Sequence, residues 1–216
     1  MLSYEESLKI LKETKALIDG HFILSSGLHS PRYVQCAQLL SKPHKAFKIC
    51  NSLAEKIKSS FEEFDLILSP AMGGVIIGYD IGRILNKETI FAERVSGDFK
   101  LRRDFTIKKN DKVLIVEDVI TTGKSALECS KVAKDSNANI IGFACIINRA
   151  DKNLEIKSKI ISQINFNIET YSEKIQMDQY DAFVLLTKDR FLENDKKISE
   201  DIMKRGKPYF FVAISS

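Results

Sequence analysis

The chain has 216 residues, 44% of them hydrophobic and 29% charged, and carries a formal net charge of +4. This length allows one domain with a substantial core, or one domain with an appendage, and the composition is typical of a globular protein. The modest charge comes from interspersed Lys and Glu, which argues against a nucleic-acid groove. The sequence has no run of 18 apolar residues, so we expect no membrane-spanning helix.

The N-terminus, MLSYEESLKI, is acidic and amphipathic where a signal peptide would be basic and then apolar, so we expect a cytoplasmic protein. The four cysteines are widely spaced and form no C-x-x-C motif, which favours buried free thiols over a zinc site or a disulfide framework. The three histidines show no i, i+4 spacing, so we expect no catalytic metal site built on them.

The first predicted element is a helix that opens with a capping box, Ser3 and Glu6, and that Gly20 can end. Two short strands, His21–Leu24 and Arg32–Val34, then flank the turn sequence SSGLHSP.

A second helix begins near Pro43, and its core-facing residues recur at helical spacing (Ala46, Cys50, Leu53, Ile57). The short apolar strand Asp65–Leu68 comes next and ends at SPAMGG. Two consecutive glycines, Gly73 and Gly74, directly after such a strand allow the backbone to approach a ligand closely. We expect the helix Val75–Leu85 to follow this loop.

The predicted strand Thr89–Ala92 leads into Glu93–Arg103, a segment with one glycine, four cations and few core-forming residues. Such a composition is typical of an exposed, mobile loop.

The stretch KVLIVEDVITTGKSA, residues 112–126, carries the strongest chemical signal. Its apolar run 113–116 suits a strand buried on both faces, and we expect that strand to stop at Glu117 and Asp118. A hydroxyl-rich turn, 121–125, then leads into a helix. Backbone N–H groups at a helix N-terminus bind a phosphate dianion, and two carboxylates beside it can hold sugar hydroxyls or a magnesium ion. This order of elements predicts a sugar-phosphate site.

Two other phosphate-binding motifs do not fit this stretch. The nucleotide-binding loop of NTPases needs a glycine five residues before Gly123, where Asp118 stands, and the dinucleotide fingerprint G-x-G-x-x-G does not occur in the chain.

The apolar strand Asn139–Ile147 ends at Arg149, which can pair bidentately with a carboxylate at the sheet edge where ligands of open α/β sheets bind. Beyond it the pattern predicts a strand at 160–168, a helix at 194–205 and a strand at 209–214. Five apolar strands alternating with helices predict an α/β fold with a doubly wound, mostly parallel sheet that carries the acids at its carboxyl edge.

The sequence VLIVEDVITTGKS resembles the phosphoribosyl pyrophosphate (PRPP) motif of type I phosphoribosyltransferases, and its form with Thr121 and Thr122 resembles the members that act on orotate. The similarity extends over about residues 22–149 and includes SSGLHSP, SPAMGGVIIGYDIGR and FAERVSGDFKLRR. This resemblance implies a single domain over residues 1–216. Its core would span about 42–150, and a small hood would come from about 1–41 plus part of 151–216.

The resemblance also implies roles for individual residues. Glu117 and Asp118 would orient the ribose hydroxyls, Lys100 would assist the departing pyrophosphate, and Mg²⁺ would lie near Asp118, bound through water. The implied PRPP-binding residues are Met72, Gly73, Arg94, Lys100, Glu117, Asp118, Val119, Ile120, Thr121, Thr122, Gly123, Lys124 and Ser125. The implied orotate-binding residues are Ser25, Thr121 and Arg149. Ser25 and Gly73 stand where relatives often carry a lysine.

The activity implied is the transfer of the phosphoribosyl group of PRPP to orotate, which yields orotidine 5'-monophosphate and pyrophosphate for UMP synthesis. The implied assembly is a homodimer in which the loop around Lys100 reaches the neighbouring site, without a nucleic-acid or membrane partner. Two alternatives remain. A phosphoribosyltransferase for a purine or another pyrimidine would differ only in the hood and at Arg149, and a PRPP-sensing regulator would carry a basic surface and lack a competent Lys100 loop.

Overall fold

The computed structural model describes residues 1–23, 29–149 and 154–165, the strands 183–188 and 209–214, and residues 200, 202–204 and 206. Its helices and strands, in chain order, are α1 (Tyr4–Glu13), β1 (Leu17–Ile23), β2 (His29–Val34), α2 (Ala37–Leu40), α3 (Pro43–Ser60), β3 (Leu66–Pro70), α4 (Gly73–Leu85), β4 (Glu88–Val95), β5 (Asp98–Leu101), β6 (Lys112–Ile120), α5 (Lys124–Asp135), β7 (Asn139–Asn148), β8 (Ile160–Asn165), β9 (Phe183–Lys188) and β10 (Tyr209–Ile214). None of the helices in this part of the chain is long and apolar enough to cross a bilayer.

The chain forms two compact units. Unit 1 comprises Met1–Leu17 and Gln35–Asn167, and unit 2 comprises Ile18–Val34 and Ile168–Ser216. Unit 2 therefore joins a segment that follows the N-terminal helix to the C-terminal part of the chain, and residues 35–41, which the resemblance assigns to the hood, lie in unit 1.

Unit 1 is built on a six-stranded sheet with the order β5-β4-β3-β6-β7-β8. All neighbouring strands are parallel except β5, which pairs with β4 in the antiparallel sense. The chain runs outward from β3 to β4 and then returns to β6 on the other side of β3, so the strand order reverses between β3 and β6. In open α/β sheets, ligands bind outside the carboxyl ends of the strands at such a reversal. The predicted α/β fold with a mostly parallel sheet is confirmed.

Helices cover both faces of this sheet because successive side chains of a buried strand point to opposite sides. On one face, Leu66, Leu68, Val113 and Ile115 of the sheet share a core with Ala126, Cys129 and Ala133 of α5. The opposite face packs against α4, whose Gly74 and Gly78 approach Ser69 closely. The sheet is therefore doubly wound, as predicted.

Helix α3 begins at Pro43, where a missing N–H costs no hydrogen bond, and buries the predicted stripe of Ala46, Cys50, Leu53 and Ile57. All four cysteines of the chain are buried and free, which confirms the prediction of free thiols.

Helix α1 has the predicted capping box: Glu6 N–H donates to Ser3 Oγ over 3.1 Å, and Ser3 N–H donates to Glu6 Oε2 over 2.8 Å. Helix α1, which the resemblance assigns to the hood, belongs to unit 1 and contacts β8. There, Gln163 Nε2 of β8 donates to Ser7 Oγ over 2.7 Å. The strand predicted at 160–168 is β8, an edge strand of the main sheet and not part of a hood.

The segment Glu93–Arg103, predicted to be a mobile loop, is largely a β-hairpin. Strand β4 extends to Val95, and the turn at Ser96 and Gly97 leads into β5, with Glu93 opposite Lys100 and Arg94 opposite Phe99. Both turn residues have positive φ values, 55° and 96°, as primed hairpin turns require. Arg94 and Lys100 therefore lie on paired strands, whereas Arg102 and Arg103 follow the end of β5.

In unit 2, β1 and β2 form a two-stranded sheet, and β9 and β10 form a parallel pair. Within the first sheet Arg32 Nε donates to Asp19 Oδ1 over 3.2 Å, and the rings of Phe22 and Tyr33 lie 5.5 Å apart. The strand predicted at 209–214 is β10. Most of the helix predicted at 194–205 lies outside the described residues.

Candidate active site

The paired acids lie inside β6, not after it as the sequence analysis expected. Pairing with β3 runs as far as Leu68 opposite Ile115, but pairing with β7 continues to Ile120 opposite Asn148. The last residues of β6 thus keep strand geometry with one neighbour, while β3 has already turned away. Beyond Ile115, β6 is no longer paired with β3, and this point of divergence, called the crevice below, is where the two acids lie.

The strand pleat directs the two carboxylates to opposite faces of the sheet. A Cβ at position 73 would lie 2.9 Å from Asp118 Oδ1, which places Asp118 on the α4 side. Glu117 faces α5, where its charge contributes to the raised pKa of the buried Cys129 thiol, after the larger effect of burial. The two carboxylates therefore lie on opposite faces of the sheet near the end of β6.

Asp118 sits in a largely desolvated position. Burial raises the pKa of its carboxyl above the ordinary aspartate value, and the hydrogen bond from Val119 N–H to Asp118 Oδ1, 2.9 Å long, only partly opposes this effect. Cys36 Sγ lies 4.0 Å from the Asp118 carbonyl oxygen. Such a carboxylate is stabilised by a cation or by hydroxyl donors, because either replaces the water it has lost.

The predicted phosphate turn, Thr121 to Gly123, leads directly into α5, whose first residues are Lys124 and Ser125. Gly123 has φ +80°, and a Cβ there would lie 2.6 Å from Ile156 Cγ1, so only glycine fits without movement. Lys124 N–H donates to Thr122 Oγ1 over 3.3 Å. The first N–H groups of α5 have no acceptor within the helix, and such a helix N-terminus is suited to bind an anion.

A second helix N-terminus faces the same crevice. The loop after β3 contains a cis peptide bond between Ala71 and Met72, Met72 is 74% exposed, and Gly73 is the first residue of α4. The helix thus begins two residues before the predicted start at Val75. A Cβ at Gly74 would lie 2.9 Å from the Val116 carbonyl oxygen, so both glycines permit close approach of α4 to β6.

Arg149 follows β7 and is tied to the end of β6, because its N–H donates to the Ile120 carbonyl oxygen over 2.7 Å. This bond brings Arg149 beside Thr121, and the family resemblance assigns both residues to base binding. Ser25, the third, lies outside the described residues.

The structure does not gather the two hairpin cations on one side. Arg94 lies over the Phe99 ring at 4.2 Å, on the α5 side of the hairpin, and its guanidinium donates to Gly97 O and Glu128 Oε2, each over 2.6 Å. Lys100 is exposed and stands opposite Glu93, on the other face of the pleat.

Asp118 offers the oxygen chemistry that Mg²⁺ prefers, but the described residues contain no group of three or more His, Cys, Asp or Glu side chains that could hold a metal ion. A Mg²⁺ ion held at Asp118 would therefore take most of its ligands from water or from a bound anion.

Three contributors to this region are not evident from the motifs in the sequence. Glu128 was detectable as an i, i+4 partner of Lys124. The segment 154–156 carries no motif, yet Glu155 N–H donates to the Thr122 carbonyl oxygen over 2.9 Å and Ile156 packs on Gly123. Cys36 gave no signal, because its position beside Asp118 depends on the fold.

The chain is similar to phosphoribosyltransferases over most of its length. A family model described as phosphoribosyl transferase domain matches residues 37–177. A curated protein of Caldicellulosiruptor saccharolyticus named orotate phosphoribosyltransferase is 42% identical over 170 residues, covering 79% of this chain and 88% of that protein. A second model, described as interferon-inducible GTPase, matches only residues 161–215.

Solved structures agree on the fold. The crystal structure of orotate phosphoribosyltransferase from Aeropyrum pernix has a TM-score of 0.60 at 19% identity, covering 73% of this chain and 92% of that one. The adenine phosphoribosyltransferase from Thermoanaerobacter pseudethanolicus has a TM-score of 0.57 at 19% identity, covering 72% of this chain and 99% of that one. Since enzymes for two different bases share this fold, the fold alone does not choose the base.

Proposed function

Because the chain belongs to the phosphoribosyltransferase family, and within it to the orotate phosphoribosyltransferases, we propose that it transfers the phosphoribosyl group of PRPP to orotate. The products are orotidine 5'-monophosphate and pyrophosphate, and the reaction is a step of UMP synthesis. The observation that carries the choice of orotate is the 42% identity with the curated relative of that name. The position of Arg149 supports it, because orotate, unlike adenine or uracil, brings a carboxylate that a guanidinium can bind bidentately.

In this proposal the 5'-phosphate of PRPP binds at the N-terminus of α5. Backbone N–H groups between Thr121 and Ser125 donate to it, and the helix dipole and Lys124 add positive charge. Two contacts hold the conformation of this turn before the substrate binds: the hydrogen bond from Glu155 N–H to the Thr122 carbonyl oxygen, and the packing of Ile156 on Gly123. The sugar is thereby anchored at its 5' end beside β6.

The reaction breaks the bond between C1 of ribose and pyrophosphate and leaves positive charge on the ring. Glu117 and Asp118 hold the ribose hydroxyls from opposite faces of the sheet, and their negative charge stabilises the ring as it becomes cationic. The buried position of Asp118 strengthens this effect, since charge interactions weaken less in a desolvated site.

The departing pyrophosphate lies between the start of α4 and the hairpin. N–H groups of Gly73 and Gly74 donate to it, which replaces the lysine expected at position 73. Arg94 of the same subunit and Lys100 from the hairpin of the neighbouring subunit neutralise its growing charge. Closure of this region excludes water that would hydrolyse the activated sugar.

We further propose that Mg²⁺ is required and that Asp118 holds it through water. When bound, the ion neutralises pyrophosphate charge and orients the oxygens of PRPP. The enzyme is proposed to act in the cytoplasm as a homodimer, with the hairpin that carries Lys100 reaching the neighbouring site.

The test is an assay of purified protein with PRPP, with and without Mg²⁺, against orotate, uracil, adenine and hypoxanthine. We expect turnover of orotate that depends on both PRPP and Mg²⁺. The other bases should be at least about a hundredfold poorer, because they leave the half-buried Arg149 without its carboxylate. Equal turnover of uracil or a purine would disprove the base assignment, and PRPP binding without any transfer would favour a regulator.

A further inference from the structure

Glu128, on the second turn of α5, is the acidic partner of two cations assigned to PRPP. Its Oε2 accepts a hydrogen bond from Arg94 over 2.6 Å, and its Oε1 lies 4.0 Å from Lys124 Nζ. Neither the family resemblance nor the motif analysis gave Glu128 a role, although it lies between the phosphate turn and the hairpin.

The geometry of Arg94 shows what this carboxylate does. The guanidinium lies on the Phe99 ring at 4.2 Å, one terminal nitrogen donates to Gly97 O, and the other donates to Glu128. A bidentate contact with a phosphate uses two neighbouring nitrogens of the same fork. In this conformation each terminal nitrogen already donates to a protein oxygen, so an incoming pyrophosphate competes with these acceptors for the guanidinium.

Of the two acceptors, Glu128 is the one a pyrophosphate replaces best. The Gly97 carbonyl belongs to the hairpin turn and moves with Arg94, whereas Glu128 belongs to a different element. A carboxylate and a phosphate oxygen also present the same charge and hydrogen-bonding character to arginine. The side chains of Arg94 and Glu128 are 43% and 28% exposed, so the pair is partly hydrated and can exchange its anion.

We propose that Glu128 is a positioning residue that holds Arg94 against α5 in the empty site and is displaced by the pyrophosphate group of the substrate. This inference rests on the proposed function, since it assumes that Arg94 binds pyrophosphate. The exchange conserves charge pairing, because Arg94 leaves one anion for another. The cost is that Glu128 lowers the affinity of the site for PRPP.

Glu128→Gln tests this proposal, since it removes the charge at nearly unchanged volume. Equilibrium binding of PRPP and of inorganic pyrophosphate is measured with the purified full chain, without orotate. The dissociation constants of both should fall about two- to fivefold, as expected for loss of one partly exposed ion pair. Glu128→Ala should give the same direction and serves as the second variant, since alanine favours the helix.

Two further variants separate this exchange from a general charge effect. Asp135→Asn removes one negative charge from the other end of α5 and should leave both constants unchanged. In an Arg94→Gln background, Glu128→Gln should give no gain, because the competing pair no longer exists.

Unchanged or weaker binding by both Glu128 variants would overturn the proposal, as would an equal gain in Asp135→Asn or a gain that persists without Arg94. A change in melting temperature alone would assign Glu128 a structural role only. The binding readout does not involve the base, so failure of this inference is distinct from failure of orotate turnover.

Discussion

At the scale of single residues, Asp118 combines a chemical role with a cost in stability. The strand pleat places its carboxylate under Gly73, where burial raises its pKa above the value of about 3.8 found in an exposed aspartate. A raised pKa means that folding disfavours the charged carboxylate. The empty protein is therefore less stable above the folded pKa than it would be with a neutral group of the same shape.

Asp118→Asn should reduce kcat by about two to three orders of magnitude, because it removes negative charge near the cationic ribose. The same variant should melt at a higher temperature than wild type at neutral pH without ligands. This gain should shrink as the pH falls through the folded pKa and vanish below the ordinary aspartate value, where both states of wild type are protonated. Steady-state kinetics at neutral pH and thermal melts from about pH 3 to 8 measure the two effects. Unchanged kcat with normal melting would show that the acid is structural.

Two adjacent glycines allow a matched comparison. At Gly73 a methyl group would lie 2.9 Å from the Asp118 carboxylate, which can rotate, whereas at Gly74 it would lie 2.9 Å from the backbone oxygen of Val116, which cannot move freely. Gly73→Ala should keep its stability within about 1 kcal/mol and lose at least about tenfold in kcat, since the carboxylate is displaced. Gly74→Ala should lose about 1–3 kcal/mol of unfolding free energy. Denaturant melts and kinetics on both variants check this contrast, and full activity of Gly73→Ala would separate Asp118 from catalysis.

At the scale of elements, the hairpin β4–β5 replaces the loop expected from the sequence. The signal was present, because Ser96-Gly97 between alternating residues is a turn sequence, but four cations and few apolar residues outweighed it. The extent of β6 was missed for a related reason. Two acids resemble the end of a strand, and only pairing with β7 as far as Ile120 shows otherwise.

Helices and buried strands with strong periodicity were predicted well, because their pattern is local. The ion pair between Arg94 and Glu128 could not be predicted, since it depends on how the hairpin lies against a helix 34 residues further along the chain. The same holds for Ile156 against Gly123. Contacts of this kind follow from tertiary packing and leave no periodic trace in the sequence.

Lys100→Ala should lower kcat more than it weakens PRPP binding, because the hairpin is proposed to act mainly on the departing pyrophosphate. Lys109→Ala, which removes an exposed lysine from the connection between β5 and β6, is the matched control and should behave as wild type. Steady-state rates, measured at saturating orotate over a range of PRPP concentrations, give kcat and the KM for PRPP separately. A change confined to KM would assign Lys100 to ground-state binding.

At the scale of the whole molecule, the proposed dimer can be tested by mixing two inactive proteins. Lys100→Ala keeps an intact pocket, and Asp118→Asn keeps an intact hairpin. If the hairpin acts on the neighbouring site, each mixed dimer joins one intact pocket to one intact hairpin. Random exchange should then restore about a quarter of wild-type activity, for an isologous pair.

If the hairpin acts within its own subunit, every site keeps one defect and no activity returns. Exchange of subunits is confirmed separately by mass measurement of differently tagged chains. Absence of recovery after confirmed exchange would contradict the shared site and leave the orotate assignment intact.

The strand order also has a consequence for synthesis of the protein on the ribosome. Strand β3 lies between β4 and β6, yet β6 begins about 40 residues after β3 ends. Because ribosomes add about 5–20 residues per second, one edge of β3 stays unpaired for about 2–8 seconds during synthesis. The apolar residues Leu66 to Leu68 make that edge a site where another nascent chain could add a strand. Arrival of Val113 to Ile115 closes the edge and, in the same step, brings Asp118 under Gly73, so protection from aggregation and assembly of the active site coincide.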